Sequence, residues 1–291
     1  MAYGGIEAGG TKWVCAVGSG PEDIRALVTF PTTTPEETLA TAVRFFAEHG
    51  PIEALGVGSF GPIDLRQASP AFGTITTTPK PGWGGTDLLS PLRAAFGVPV
   101  AFDTDVNAAA IGELHWGAAA GLDTFCYVTV GTGIGGGVIV DGRPLHGLLH
   151  PELGHMLVPH DRVRDPFDGV CPYHGDCLEG LASGVSIRRR WGVAAEDATD
   201  PDVWRLEAEY LALGLANLVC SLSPQRIVIG GGVLKQPLLL PLVRARLVEV
   251  LAGYVDAIEV GAGIETYVVP PALGDRAGVL GAFALAGAAA S

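Results

Sequence analysis

The alternation of apolar and polar positions divides the chain into short strands and helices of a mixed α/β protein. YGGIEAGGTKWVCAV is rich in β-branched and aromatic residues around Gly9 and Gly10, and predicts two strands joined by a tight hairpin. From Phe125, FCYVTVGTGIGGGVIVDGRPL repeats strand, Gly/Thr turn and strand. Each hairpin is followed by alternating strands and helices, so the pattern predicts a duplicated α/β domain. In TTTPEETLATAVRFFAEHG, Thr34 caps a helix, Pro35 suits its first position, Glu37 completes a capping box and Gly50 ends it. Leu39, Val43 and Phe46 are its expected buried face. IEALGVGSF and VPVAF read as buried strands, the second running into a helix, DTDVNAAAIGELHWG, opened by Asp105. Later come a helix from Trp204 to Leu222, a strand in RIVIGG, a helix in PLLLPLVRARLVEVLAGY and a small-residue helix in GDRAGVLGAFALAGAAA. The expected division is a smaller N-terminal α/β domain, 1–108, completed by a helix at 275–291, and a larger one, 109–274, with a metal-binding insertion.

Composition narrows the function classes. The 291 residues are 48% hydrophobic and 17% charged, which describes a globular protein without disorder. A net charge of −13 argues against a nucleic-acid partner, and the one basic run, Arg188 to Arg190, reads as a solvated helix face. No basic-then-apolar leader opens the sequence, and the longest uncharged segments fall short of a membrane span, so a cytoplasmic protein without a membrane partner is expected. Cys15, Cys126 and Cys220 read as small buried apolar residues.

Glycine, at 42 residues, supplies the first chemistry. Three glycine turns end predicted strands: Gly9-Gly10-Thr11-Lys12, Gly131-Thr132-Gly133 and Gly230-Gly231-Gly232. Backbone N–H groups exposed in such turns bind phosphate oxygens, with Thr11 and Thr132 adding hydroxyl donors. None follows the Walker A pattern, yet together they predict a nucleotide held between two halves. Lys235 and Gly180 lie beside such turns and join the nucleotide candidates. Cys171, His174 and Cys177 are spaced for one metal ion, with His155 or His160 as the fourth ligand. In GSFGPID, Gly61 and Pro62 allow close backbone approach to a ligand, and Lys80 and Trp83 sit in a loop that either closes on substrate or is simply exposed.

GGIEAGGTK, DTDVNAAAIGE, GTGIGGG, PELGH, CPYHGDCLEG and IVIGGG together resemble, in order and rough spacing, the ROK sugar kinases and repressors, above all the fructokinase branch. The resemblance implies the actin-like, ribonuclease-H-type duplicated fold, with ATP and sugar in a cleft between two domains. It implies Asp105 as general base and Glu152, His155 and Glu179 as sugar ligands, beside Gly61, Pro62 and Thr104. His155 becomes the fourth zinc ligand, and four protein ligands make a closed, structural zinc site that braces the sugar pocket. ATP, Mg²⁺ and Zn²⁺ are the implied cofactors and a homodimer the implied assembly. Glu7 stands where actin-like relatives carry a Mg²⁺-positioning aspartate, and Thr104 where glucose-specific relatives carry asparagine. Glucose, mannose and N-acylated hexosamines are alternative substrates. A sugar-responsive repressor would need a helix-turn-helix ahead of residue 3, for which no room is expected, and a zinc hydrolase with Glu152 as base would need an open metal position.

Overall fold

The computed structural model describes residues 1–257 and 259–291. In chain order it begins with β1 (Tyr3–Ala8), β2 (Lys12–Gly20), β3 (Asp23–Pro31), α1 (Pro35–His49) and β4 (Ala54–Ser59). There follow α2 (Leu89–Phe96), β5 (Val100–Thr104), α3 (Asp105–Trp116), β6 (Phe125–Val130), β7 (Ile134–Val140) and β8 (Arg143–Pro144). The remainder is α4 (Leu178–Ala182), α5 (Gly184–Trp191), α6 (Pro201–Leu222), β9 (Ile227–Gly230), α7 (Leu239–Leu251), α8 (Ile264–Tyr267), β10 (Val268–Val269) and α9 (Ala277–Ala290).

The duplication read from the two hairpins is visible in the sheets. The first is ordered β3-β2-β1-β4-β5, with β1 antiparallel to β2 and parallel to β4. The second, read as β8-β7-β6-β9-β10, repeats that order, and β9 and β10 again continue parallel from the founding strand. Two compact units form: Met1–Leu122 with Gly137–Pro151 and Ala272–Ser291, and Asp123–Gly136 with Glu152–Pro271. Among the described residues no helix is long and apolar enough to cross a membrane.

Unit 1 closes around Ile6, Trp13, Leu55, Val57, Phe60 and Trp83, all buried. Strand β3, unread in the sequence, turns Ile24, Ala26, Val28 and Phe30 to the less exposed side and Arg25, Leu27 and Thr29 to solvent. On α1 the Thr34 hydroxyl accepts from the Glu37 N–H, as expected, but the buried face is Leu39, Ala42, Phe45 and Phe46, with Val43 at its margin. Helix α9 packs on β1, β4 and α3. The approach is so close that a Cβ on Gly281 would collide with the Ala108 carbonyl, and one on Gly56 with that of Ala282. Buried Glu113 of α3 accepts from the Ala272 and Leu273 N–H groups, at 3.1 and 2.9 Å, and so fastens the segment leading into α9.

Unit 2 is organised by α6, capped by Asp200 with Pro201 in its first turn and burying Trp204, Leu211, Leu215 and Leu218. Three expectations change. Trp83 is fully buried against Trp13 and Phe60 with its indole N–H bonded to the Thr33 carbonyl, and the Lys80 ammonium donates to the Thr32 carbonyl, so Trp83 belongs to the core of unit 1 while Pro79, Pro81 and Gly82 beside it are exposed. Arg190 leaves the solvated face made by Arg188 and Arg189: its guanidinium lies over Phe167 and pairs with buried Asp165, which compensates the charge. Cys220 is exposed, while Cys15 and Cys126 are buried.

Candidate functional site

In unit 1, strand β5 ends in Asp103 and Thr104, and α3 starts at Asp105. The expected cap is displaced by one residue: extended Thr104 caps α3, its Oγ1 accepting from the Asn107 N–H at 3.0 Å. Asp105 is thereby relieved of that task, and its carboxylate accepts the adjacent Val106 N–H at 2.9 Å. Burial pushes Asp105 up to about 6, partly offset by backbone donors from Val106 and Asp105 itself. Glu7 on β1 is pushed up to about 7, first by burial and next by the charge of Asp105, with Lys12 pulling the other way. Its Oε2 is buried with no hydrogen-bond partner among the described residues. An orphaned carboxylate oxygen beside a second carboxylate fits a divalent cation or the water of its shell.

The turn Gly9-Gly10-Thr11-Lys12 joins β1 to β2. It is closed by the Gly9 N–H on the Lys12 carbonyl at 3.0 Å and held by Thr32, whose hydroxyl donates to the Gly9 carbonyl at 2.7 Å. Gly61 lies beside the His150 ring, which accepts from the Ile63 N–H at 3.1 Å, and the Pro62 carbonyl takes two donors from Thr76. Burial lowers the His150 pKa, keeping that ring a neutral acceptor.

A polar cluster escaped the sequence reading. Buried Asp103 accepts from the Thr104 N–H at 2.8 Å and from Asn107 Nδ2 at 2.7 Å, and faces His146 Nε2 at 3.0 Å. The Asp103 bond raises the His146 pKa. Asp103 and Asn107 flank Asp105 in sequence, which was the available signal; His146 lies some forty residues on, and only the fold delivers it.

In unit 2, His155, Cys171, His174 and Cys177 bring one ligand atom each to within 4.8 Å of one another. His155 Nδ1 lies 3.6 Å from both cysteine sulfurs, and His174 Nδ1 3.6 Å from Cys171 Sγ. Bonds of about 2.3 Å to sulfur and about 2.0 Å to nitrogen give a tetrahedral edge of about 3.6 Å, so the donor set fits zinc. The turn that makes this possible is closed by reciprocal backbone bonds between Cys171 and Gly175, whose φ of +68° favours glycine. His160 stands apart, its two ring nitrogens engaged by Asp176 Oδ2 at 3.0 Å and the Asp165 carbonyl at 2.9 Å.

Two carboxylate residues adjoin this cluster. Glu152 immediately precedes the short 3-10 turn Leu153–His155, and its carbonyl accepts the His155 N–H at 3.0 Å. Glu179 sits in the first turn of α4, directly after Cys177, and its Oε2 accepts the Ile134 N–H at 2.8 Å. The turn containing Thr132 and Gly133 is therefore contiguous with Glu179. Gly180 packs on the Gly175 carbonyl, Gly231 (φ +96°) lies against the Val130 backbone, and Gly232 starts the turn that bears Lys235.

Comparison with known proteins adds to this geometry. The ROK family model matches residues 3–289. The fructokinase of Zymomonas mobilis subsp. mobilis is 48% identical over 297 residues, spanning 99% of this chain and 97% of that protein. The fructokinase of Pediococcus pentosaceus is 42% identical over 290 residues, spanning 99% of both. Among solved structures, a ROK family glucokinase from Streptomyces griseus in complex with glucose and AMPPNP has a TM-score of 0.80 at 28% identity, covering 99% of this chain and all of that one.

Proposed function

The chain belongs to the ROK family, and from that premise we propose that it is an ATP-dependent fructokinase transferring the γ-phosphoryl group of ATP to the 6-hydroxyl of fructose. Its fold is the duplicated actin-like α/β fold of that family. The full-length likeness to the two fructokinases carries the reading.

Phosphoryl transfer asks a protein for alignment, charge neutralisation and a proton acceptor, with little covalent chemistry. Asp105 is the proton acceptor: its carboxylate is free of helix capping, and a basicity near 6 keeps it ionised at neutral pH while bringing it closer to its task than an ordinary aspartate. Magnesium, when bound with ATP, neutralises charge on the phosphate oxygens, and Glu7 is the residue of this chain suited to hold its water shell. The Gly10–Thr11 N–H groups of the turn that the Gly9 N–H closes, and those of Thr132–Gly133, cradle phosphates, while Gly180, Gly231, Gly232 and Lys235 serve the rest of the nucleotide.

Glu152, His155 and Glu179 are the sugar ligands of unit 2, and Gly61, Pro62 and Thr104 those of unit 1. Thr104 spends an oxygen lone pair on the Asn107 N–H and keeps one proton to donate, unlike an asparagine amide with its two donors. His155, Cys171, His174 and Cys177 would hold a zinc ion, which would supply a structural cross-link between the two segments that carry Glu152 and Glu179. The reading includes a cytoplasmic location and a homodimeric assembly, the latter measurable by sedimentation.

The test is ADP release with Mg-ATP across fructose, glucose, mannose and N-acetylated hexosamines. Fructose is expected to give the highest kcat/KM. Glucose far ahead of fructose would overturn the substrate, and release with none of them would overturn the activity.

A further inference from the structure

We infer that Glu179 is a positioning residue for the nucleotide as well as a sugar ligand, so that sugar and nucleotide binding are thermodynamically coupled through the Glu179–Ile134 contact. The inference rests on the fructokinase reading and adds a property that reading does not require.

The contact joins two segments 45 residues apart: Glu179 Oε2, in the first turn of α4, accepts the N–H of Ile134, the first residue after the Thr132–Gly133 turn. Gly133 has no room for a side chain because the Glu179 carboxylate occupies that space; a Cβ there would stand 2.5 Å from Oε2. Its glycine therefore has a reason distinct from phosphate approach. A second bond, from the Gly184 N–H to the Gly131 carbonyl at 2.8 Å, ties the chain just beyond α4 to the start of the same turn, which closes on itself through Gly131 N–H and the Gly133 carbonyl. The turn is thus held at both ends by the segment that carries Glu179.

A carboxylate has acceptor sites on both oxygens. With Oε2 on the Ile134 N–H, Oε1 meets a sugar hydroxyl, and the bound sugar restricts the rotamers of Glu179. Restricting that side chain restricts the turn, so a nucleotide arriving afterwards meets N–H groups already ordered. Linkage makes the effect reciprocal: the factor by which sugar tightens nucleotide equals the factor by which nucleotide tightens sugar.

The experiment is calorimetry of Mg-AMPPNP binding to the zinc-loaded protein, with and without saturating fructose. Wild type is expected to show tightening by about fivefold or more. Glu179→Asp, one methylene short of Ile134, and Gly133→Ala, which places a methyl where the carboxylate sits, are both expected to bring the factor to about one. Two variants guard against misfolding of either. Glu152→Gln is expected to weaken fructose binding yet keep the wild-type factor once fructose saturates. A wild-type factor retained in Glu179→Asp, or a factor of one in wild-type protein that phosphorylates fructose, would overturn the coupling. Protein that phosphorylates no hexose would instead remove the fructokinase reading, and the coupling with it.

Discussion

Asp105 and Glu7 are two carboxylates in one corner of unit 1, both pushed up by burial, and the charge of Asp105 adds to the cost of ionising Glu7. Asp105→Asn is expected to lower kcat by about 10²–10⁴-fold while calorimetric affinities for fructose and nucleotide hold, since the amide keeps the shape and loses the proton acceptor. In the wild type, kcat/KM should fall as pH drops through about 6, where Asp105 takes up its proton. Stability runs the other way. Both groups bind protons more readily folded than unfolded, so the fold loses stability as pH rises from about 4 towards 7. Glu7→Gln removes the larger part of that loss and should raise Tm by about 2–4 °C at pH 8, with little change at pH 4, in magnesium-free buffer. A Tm gain of equal size at both values would show that ionisation is not the cause. The Cys171, His174 and Cys177 cluster was legible because its spacing in sequence is its chemistry, whereas position alone made Asp105 a helix cap, a task the structure gives to Thr104. Asp103 and His146 were not legible: a buried carboxylate at a strand end reads as one more acidic residue until a histidine from a distant segment meets it.

At the level of elements, the α3–α9 pair is an approach that only small residues permit. Gly281→Val should destabilise the protein by about 1–3 kcal/mol in thermal or denaturant unfolding, because a side chain there must displace the Ala108 carbonyl. The sequence marked α9 as suited to close packing through its run of small residues, but what it packs on, β1, β4 and α3, is set by the fold. Strand β3 carries a readable signal, since Ile24, Ala26, Val28 and Phe30 alternate with more exposed residues. The zinc-fitted turn gives a prediction of its own. Chelation, or Cys177→Ser, should raise the KM for fructose and increase protease cleavage between Glu152 and Glu179; both unchanged would show that the cluster braces nothing.

For the molecule as a whole, the duplicated topology was legible because each half opens on the same glycine hairpin, and the repeated strand order bears the duplication out. The net charge of −13 is consistent with a small-molecule enzyme and identifies no ligand. Trp83 shows where whole-chain reading fails: a tryptophan in a Pro/Gly loop resembles a substrate cover, and its burial beside Trp13 is decided by residues some seventy positions away.

Helix α9 also sets an order on biosynthesis. Residues 123–136 and 152–271 leave the ribosome before Ala272, so unit 2 has all of its chain while unit 1 still lacks the helix that covers β1 and β4. The first sheet, with α3 already available to β4, therefore waits for its second covering helix until the other half has been made, and the small residues that receive α9 stay uncovered for that interval.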